Sequence, residues 1–319
     1  MSGNLEESNI CVTGGSGFIG SHLVDYLSDI GVANIIVVDN YFLGNEKNLE
    51  KATSKNKKLR IVRTDASDYS SMQSVLKKHS IEYVFNLAVI PLPTSLEYPA
   101  FTIEKNIAVV SNLCELARQG TYSKLVHCSS SEAYGTAEYV PMDEAHPLSA
   151  TTPYASSKAA GDLIIKTYVE TFGINALIVR PFNTFGPRQN SGSYAGIIPI
   201  VLNRIKAGLP IEIHGDGSQT RDFIYVARNV ENIVKASQVN ELEGKIINIA
   251  SGVETSIKQL ISQILRILNL ENYPINYVDA RPGDVNRHLA DIDLAKKYLG
   301  MTQTNIKDSD LRETIKWYE

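Results

Sequence analysis

The stretch Thr13-Gly14-Gly15-Ser16-Gly17-Phe18-Ile19-Gly20 constrains the fold of this chain more than any other. It follows the apolar run Ile10-Cys11-Val12 and opens a helical pattern of Ile19, Leu23, Val24 and Leu27. That order is strand, glycine turn, helix. Taken alone, three glycines at G-x-x-G-x-x-G spacing also fit a plain tight turn. Between a strand and a helix they let the turn close and let the backbone approach a pyrophosphate. There the unpaired N–H groups and the helix dipole favour an anion. Gly20 allows the helix to pack closely on the strand. A second apolar run, Asn34-Ile35-Ile36-Val37-Val38, ends in Asp39, 19 residues beyond Gly20. A carboxylate there can accept hydrogen bonds from both adenosine ribose hydroxyls and would repel a 2′-phosphate; no arginine follows it directly. The expected cofactor is NAD rather than NADP.

At 319 residues the chain can bury a large core, as one two-lobed unit or two domains. A net charge of −4 and a pI near 5.9 argue against a nucleic-acid or polybasic membrane surface. No apolar run approaches the length of a membrane span, and the polar residues 1–8 do not read as a signal peptide. A cytoplasmic protein is expected. Cys11, Cys114 and Cys128 lie in apolar patterns without C-x-x-C spacing and read as buried thiols. The histidines are scattered, so no metal site is expected.

Strand and helix alternate through the first half, with strands at 59–62, 83–88, 125–128 and 176–179 and helices at 69–79, 99–118 and 154–172. Near-continuous apolar strands in this rhythm imply an α/β fold, a Rossmann-type doubly wound parallel sheet covered on both faces. After Arg180-Pro181 the loops lengthen. Ile211-Glu212-Ile213-His214, then Gly215-Asp216-Gly217, then Phe223-Ile224-Tyr225 suggest short strands around a turn. Helices are expected at 227–239, 256–268, 291–299 and 309–318, and Ile246-Ile247-Asn248-Ile249 can return as a strand to the first sheet. The expected division is an NAD-binding domain over 1–180, with a return around 225–250, and a smaller, discontinuous substrate lobe over 181–319. The active site should lie between the lobes, at the C-terminal ends of the parallel strands.

Tyr154-Ala155-Ser156-Ser157-Lys158 places a phenol and an ammonium four residues apart on one helix face. A nearby cation stabilises phenolate and lowers the tyrosine pKa, as a general base requires. Of 16 tyrosines only this one has lysine at i+4. Such a pair also arises by chance on an exposed helix; its place 115 residues beyond Asp39 in a dinucleotide-binding chain favours catalysis. After the fifth strand, Ser129-Ser130-Ser131-Glu132-Ala133-Tyr134-Gly135 sets hydroxyls where they can bridge the tyrosine and a substrate hydroxyl. Serine is equally ordinary turn chemistry, and Glu132 reads either as a functional acid or as a surface or capping carboxylate.

Together these motifs resemble the extended short-chain dehydrogenase/reductases of the nucleotide-sugar epimerase/dehydratase family. The match spans nearly the whole chain: residues 13–20, Asp39-Asn40, Asp65-Ala66, Asn86-Leu87-Ala88, residues 129–135 and 154–158, Arg180-Pro181-Phe182-Asn183, Gly186-Pro187-Arg188-Gln189, residues 215–223 and Arg281-Pro282-Gly283-Asp284. The resemblance implies tightly held NAD used catalytically. Tyr154 would take the proton of a sugar 4-hydroxyl while hydride leaves C4, giving a 4-keto sugar nucleotide. It implies Ser130 as the bridging hydroxyl and Lys158 on the nicotinamide ribose. Cofactor contacts are implied at Gly14, Gly17, Phe18, Ile19, Asp39, Asn40, Asp65, Ala66, Leu87 and Ala88. Substrate contacts are implied at Ser130, Ser131, Asn183, Gln189 and Asp284, with Arg221 and Arg281 clamping the nucleotide diphosphate. Planar guanidinium forks suit phosphate oxygens, although each arginine also fits a surface ion pair.

Two departures bear on the reaction. Epimerases of this family usually carry a small residue where Glu132 stands. In similar 4,6-dehydratases and sugar-acid decarboxylases a glutamate follows the bridging hydroxyl by two, and in dehydratases it removes the C5 proton. The stretch Val89-Ile90-Pro91-Leu92-Pro93-Thr94-Ser95 also lacks the arginine usual before Ser95. Residues 194–208, 215–226 and 281–292 look most like 4-epimerases acting on UDP-sugars. The expected reaction is therefore C4 epimerisation of a UDP-sugar, with 4,6-dehydration and decarboxylation of a UDP-uronic acid as alternatives. A silent NAD-binding scaffold is the rival outside enzymes. Helices 99–118 and 154–172 carry apolar residues beyond one face, among them Leu113, Leu116, Ile164 and Ile165. The resemblance suggests that they pair with a second copy in a homodimer.

Overall fold

The structure, a computed structural model, describes residues 5–192, 196–279 and 287–319. The first half runs β1 (Asn9–Thr13), α1 (Phe18–Asp29), β2 (Asn34–Asp39), α2 (Glu50–Lys55), β3 (Arg60–Arg63), α3 (Tyr69–Lys78), β4 (Tyr83–Asn86), α4 (Leu92–Glu97), α5 (Pro99–Arg118), β5 (Lys124–Cys128), α6 (Pro153–Phe172) and β6 (Ala176–Pro181). The second half runs β7 (Asn183–Phe185), α7 (Ile197–Lys206), β8 (Ile211–His214), β9 (Thr220–Tyr225), α8 (Val226–Ser237), β10 (Ile246–Ile249), β11 (Glu254–Ser256), α9 (Ile257–Leu268), β12 (Ile275–Val278), α10 (Asp293–Leu299) and α11 (Asp308–Tyr318).

The main sheet has seven strands in the order β10-β6-β5-β4-β1-β2-β3, all pairings parallel. Its alternation explains the continuous apolar runs. In β2, Ile35 and Val37 face a core with Leu23 and Leu27 of α1 and Ile233 of α8, while Ile36 and Val38 face one with Leu76 of α3 and Leu113 of α5. Both faces are buried, so Ile35 to Val38 are all apolar, up to the carboxylate that ends the strand. The return of β10 to this sheet is observed, against β6. Thr152 caps α6 by accepting the N–H of Ala155 at 3.1 Å, with Pro153 in the first turn, which starts the helix one residue before Tyr154.

The second half differs from expectation in its pairing. β8 and β9 are not partners around one turn: β8 pairs in parallel with β12, and β9 lies between β11 and β7. The turn at Gly215 and Gly217 has positive φ at both glycines and redirects the chain instead of closing a hairpin. A third core, with Val201 and Leu202 of α7, Ile211 and Ile213 of β8, and Leu260, Ile261 and Ile264 of α9, covers these strands.

The apolar residues assigned to a dimer face also need correction. Leu113, Leu116 and Ile165 are buried in this chain's own core, and Ile164 packs against that core. The cause is the close approach of α6 to α5, where a Cβ on Gly161 would meet Val110 Cγ2 at 3.2 Å. Each helix therefore buries one side on the sheet and one flank on its neighbour. The exposed large apolar side chains of these two helices are Phe101, Leu163 and Phe172. All three cysteines are free and buried, as read from sequence. Among the described residues no helix is long and apolar enough to cross a membrane.

Candidate active site

A cavity of about 960 Å³ lies at the C-terminal ends of β2, β4, β5 and β6. At one end it is lined by Gly14, Gly17, Phe18, Ile19, Asp39, Asn40, Asp65, Ala66, Leu87 and Ala88. Gly14 has φ +67, and a Cβ there would lie 2.7 Å from Leu87 O and Ala88 N. Gly17 starts α1 without a side-chain cap, which leaves the first-turn N–H groups to an anion from the cavity. This cradle, which side chains at its glycines would fill, fits a dinucleotide pyrophosphate.

Asp39 is 7% exposed and already holds its own loop. Oδ2 accepts the N–H of Ser16 at 2.9 Å, and Oδ1 accepts that of Tyr41 at 2.8 Å. An ionised carboxylate has about four acceptor sites, so capacity remains for ribose hydroxyls. Asp39→Ala should weaken NAD binding and narrow the discrimination against NADP, because it removes the acceptor capacity proposed for the ribose and the tie to the glycine turn. Calorimetry showing both cofactors unaffected would contradict this placement. Asp65 is more constrained than the sequence indicated: its carboxylate accepts from Ser67 N at 2.8 Å and Lys105 Nζ at 3.2 Å.

At the other end the cavity is lined by Ser130, Ser131, Glu132, Tyr154, Lys158, Asn183 and Gln189. Tyr154 and Lys158 share one face of α6, and Ser130 sits just past β5, where it caps the short 3-10 helix Ser131–Tyr134. Ser130 Oγ accepts the N–H of Glu132 at 3.2 Å. The electrostatics differ from the simple lysine–phenol pairing. Burial raises the Tyr154 pKa, and the hydrogen bond with Ser130 opposes that rise. Lys158 Nζ instead donates to Cys128 O at 2.8 Å. Burial lowers the lysine's own pKa, with the Asp162 carboxylate acting against it. In the protein alone burial outweighs the influences that lower the phenol, and the Lys158 ammonium is anchored at the strand-end carbonyl of Cys128.

Asn183 Nδ2 is buried without a hydrogen-bond partner in the protein, a donor left for a ligand. Gln189 donates to Thr184 O at 3.4 Å. Its loop is pinned to α1: Arg188 Nη2 reaches Asp25 Oδ2 at 2.7 Å, and His22 Nε2 meets Pro187 O at 2.9 Å. Burial pushes His22 down to about 4, so it is neutral and donates from Nε2. Arg221 on β9 is half-buried, bonds Thr220 O at 2.8 Å through Nη1 and is not part of the cavity wall. Strand β9 does reach the cavity, through Phe223, so Arg221 lies on a strand that borders the site. Arg281 and Asp284 lie outside the described residues.

Sequence reasoning missed Phe42, Leu43 and Phe101, which line the cofactor end, with the Phe42 and Phe101 rings 6.3 Å apart. The signal was local: two large apolar residues in a loop just after a strand-end carboxylate. It also missed Ile197 and Ile198 at the start of α7, which border the substrate end.

A glycine-turn dinucleotide cradle facing a Ser-Tyr-Lys set across one cavity defines an NAD-binding α/β site of the short-chain dehydrogenase/reductase type. Residues 10–250 match the NAD dependent epimerase/dehydratase family, and the chain belongs to it. It is 33% identical to a putative UDP-glucose 4-epimerase of Methanocaldococcus jannaschii, over 97% of each chain. Among solved structures, the UDP-N-acetylglucosamine 4-epimerase of Methanobrevibacter ruminantium superposes with a TM-score of 0.89 at 34% identity, over 98% of each chain. The dTDP-glucose 4,6-dehydratase of Streptomyces venezuelae, solved with NAD bound, gives 0.89 at 27% identity over 97% of this chain and 96% of that one. The cofactor is NAD, and the family is one of sugar-nucleotide epimerases and dehydratases.

Proposed function

We propose that the protein is an NAD-dependent nucleotide-sugar 4-epimerase, acting on a UDP-sugar through a transient 4-keto intermediate. The observation that carries this reading is the meeting of Ser130, Tyr154 and Lys158 in the same cavity as the glycine cradle. Bound NAD supplies a hydride acceptor and a ring charge that favours phenolate. Tyr154, as phenolate, takes the proton of the sugar 4-hydroxyl. Ser130 bridges phenol and substrate; its oxygen accepts the Glu132 N–H, which leaves its proton free to donate. Lys158, buried beside them, is the proposed holder of the nicotinamide ribose. Asn183 offers its unused Nδ2 to the substrate, with Gln189 beside it. The epimerase likeness of the 33% and 34% identical relatives favours a C4 epimer over a dehydrated product.

One observation favours 4,6-dehydration as the second reading: Glu132 lines the cavity, two residues beyond Ser130. A carboxylate near C5 has no necessary part in epimerisation, where only C4 loses and regains hydride. In dehydration it must remove the C5 proton, made acidic by the adjacent ketone, before hydroxide leaves C6. The test is a panel of UDP- and dTDP-sugars in deuterated water, followed by NMR, with wild type and Glu132→Gln. The expected result is the C4 epimer without deuterium at C5 and an active mutant. A 4-keto-6-deoxy product with deuterium at C5, and a mutant that stalls with reduced cofactor, would replace epimerisation by dehydration.

A further inference from the structure

Behind the cavity lies a buried polar chain that the proton transfer does not itself use. Asp162, one helical turn beyond Lys158, is 2% exposed, and Arg180 on β6 is 1% exposed. Nε and Nη2 of Arg180 both lie 2.9 Å from Asp162 Oδ2. The guanidinium stands 4.5 Å over the ring of Tyr134, which ends the 3-10 helix that begins after Ser130. Tyr134 is fully buried, and its hydroxyl donates to Asn248 Oδ1 on β10 at 2.7 Å. Asn248 is itself fixed, donating its N–H to Glu144 Oε1 at 2.8 Å and Nδ2 to Met142 O at 3.0 Å.

A buried ion pair contributes little net stability, since desolvation offsets much of the attraction, but it tolerates few geometries. This pair joins the helix that carries Tyr154 and Lys158 to β6, which lies between β10 and β5 in the sheet. Its cation also holds an aromatic ring from the turn that carries Ser130 and Glu132. The contact of a desolvated guanidinium with a ring face is directional and adds to that hold.

We infer that Asp162, Arg180 and Tyr134 are positioning residues, which set the Ser131–Tyr134 turn against α6 and so hold Ser130 and Tyr154 together at the cavity wall. The inference rests on Tyr154 as the general base of the proposed function, and it is independent of the fate of the 4-keto sugar after oxidation at C4. None of the three lines the cavity.

The test uses NAD-loaded protein with tyrosine labelled at Cζ, the Tyr154 resonance being identified by its loss in Tyr154→Phe. Ser130→Ala gives the resonance position of a phenol without its serine partner. Arg180→Lys keeps the charge and loses the fork. Tyr134→Phe keeps the ring under the guanidinium and loses the Asn248 anchor, and it serves as the mild variant should Arg180→Lys fail to fold. In each folded variant the Tyr154 resonance should move toward the Ser130→Ala position. With a sugar nucleotide that the wild type converts, kcat should fall about tenfold or more while KM stays within about twofold, a fraction of what general-base catalysis contributes. A folded Tyr134→Phe protein with an unmoved Tyr154 resonance overturns the inference, whatever its melting temperature. Wild type without turnover on any sugar nucleotide would sink the proposed function, whereas the resonance, read without substrate, still decides the positioning.

Discussion

Tyr154→Phe should lower kcat by roughly two to four orders of magnitude, the usual contribution of a positioned general base, with fold and NAD binding largely intact. The substitution removes one oxygen and leaves the ring in place, so the packing of α6 over the sheet is unchanged. Nothing else on α6 can replace the hydroxyl as base: the Lys158 ammonium has only donors to offer, one of them on Cys128 O, and Asp162 is paired with Arg180. The surroundings also fix the sign of the pH dependence. Burial, and the negative charges of Cys128, Glu132 and Asp162 when ionised, raise the phenol's pKa; Ser130 alone among the named neighbours lowers it. The reactive phenolate therefore gains population as pH rises, and wild-type turnover should climb with pH until Tyr154 is ionised. In Tyr154→Phe that limb should vanish along with the rate. Stopped-flow turnover across pH, beside calorimetry for NAD, measures both. Near-normal turnover by the variant would rule out the proposed chemistry.

The range of each interaction decides how legible it was in the sequence. The glycine turn, the strand ending in Asp39 and the Tyr154–Lys158 face are local patterns. Burial on both faces writes β1 and β2 as unbroken apolar runs, and helical spacing alone puts a phenol beside an ammonium. The helix Pro99–Arg118 was legible at both ends, with Pro99 in its first turn and Gly120, at φ +69, just past its end. The partners of β8 and β9 were not legible. They are strands of four and six residues whose mates β12, β7 and β11 are remote or only three or four residues long, so no periodic signal links them. Helix-on-helix burial hid the true environment of Leu113, Leu116 and Ile165, because a second buried flank looks like an unpartnered face when only the sheet-facing stripe is counted. The engagement of Lys158 by Cys128 O and the Asp162–Arg180 pair also join residues from separate elements, and side-chain identity alone does not announce such pairs.

Gly20→Ala should cost most of the NAD affinity, because the added methyl points into the backbone of the glycine turn. A Cβ on Gly20 would overlap the carbonyl oxygen of Gly14 and lie 2.9 Å from both Gly14 C and Gly15 Cα. These are backbone atoms, so no side-chain rotation relieves the clash. Either α1 lifts from the turn or the turn opens, and each movement shifts the uncapped N–H groups at the start of α1, the proposed pyrophosphate donors. Overpacking of this kind costs about 1–3 kcal/mol, which is roughly a fivefold to hundredfold loss of affinity if it falls on the bound state. Gly17 provides the internal comparison. Its Cβ would meet only Gly14 O, at 3.3 Å, a tight contact that a few tenths of an ångström relieve. Gly17→Ala should therefore weaken NAD distinctly less than Gly20→Ala does, even though Gly17 lies nearer the start of the helix. Melting temperature in the absence of cofactor should follow the same ranking, through whatever part of the clash the shifted helix and turn do not relieve. Calorimetric titration of the two variants, paired with thermal melts, reads both. Equal affinities for wild type and Gly20→Ala would show that helix and turn are not packed in this way, and the cradle would have to be built from other residues.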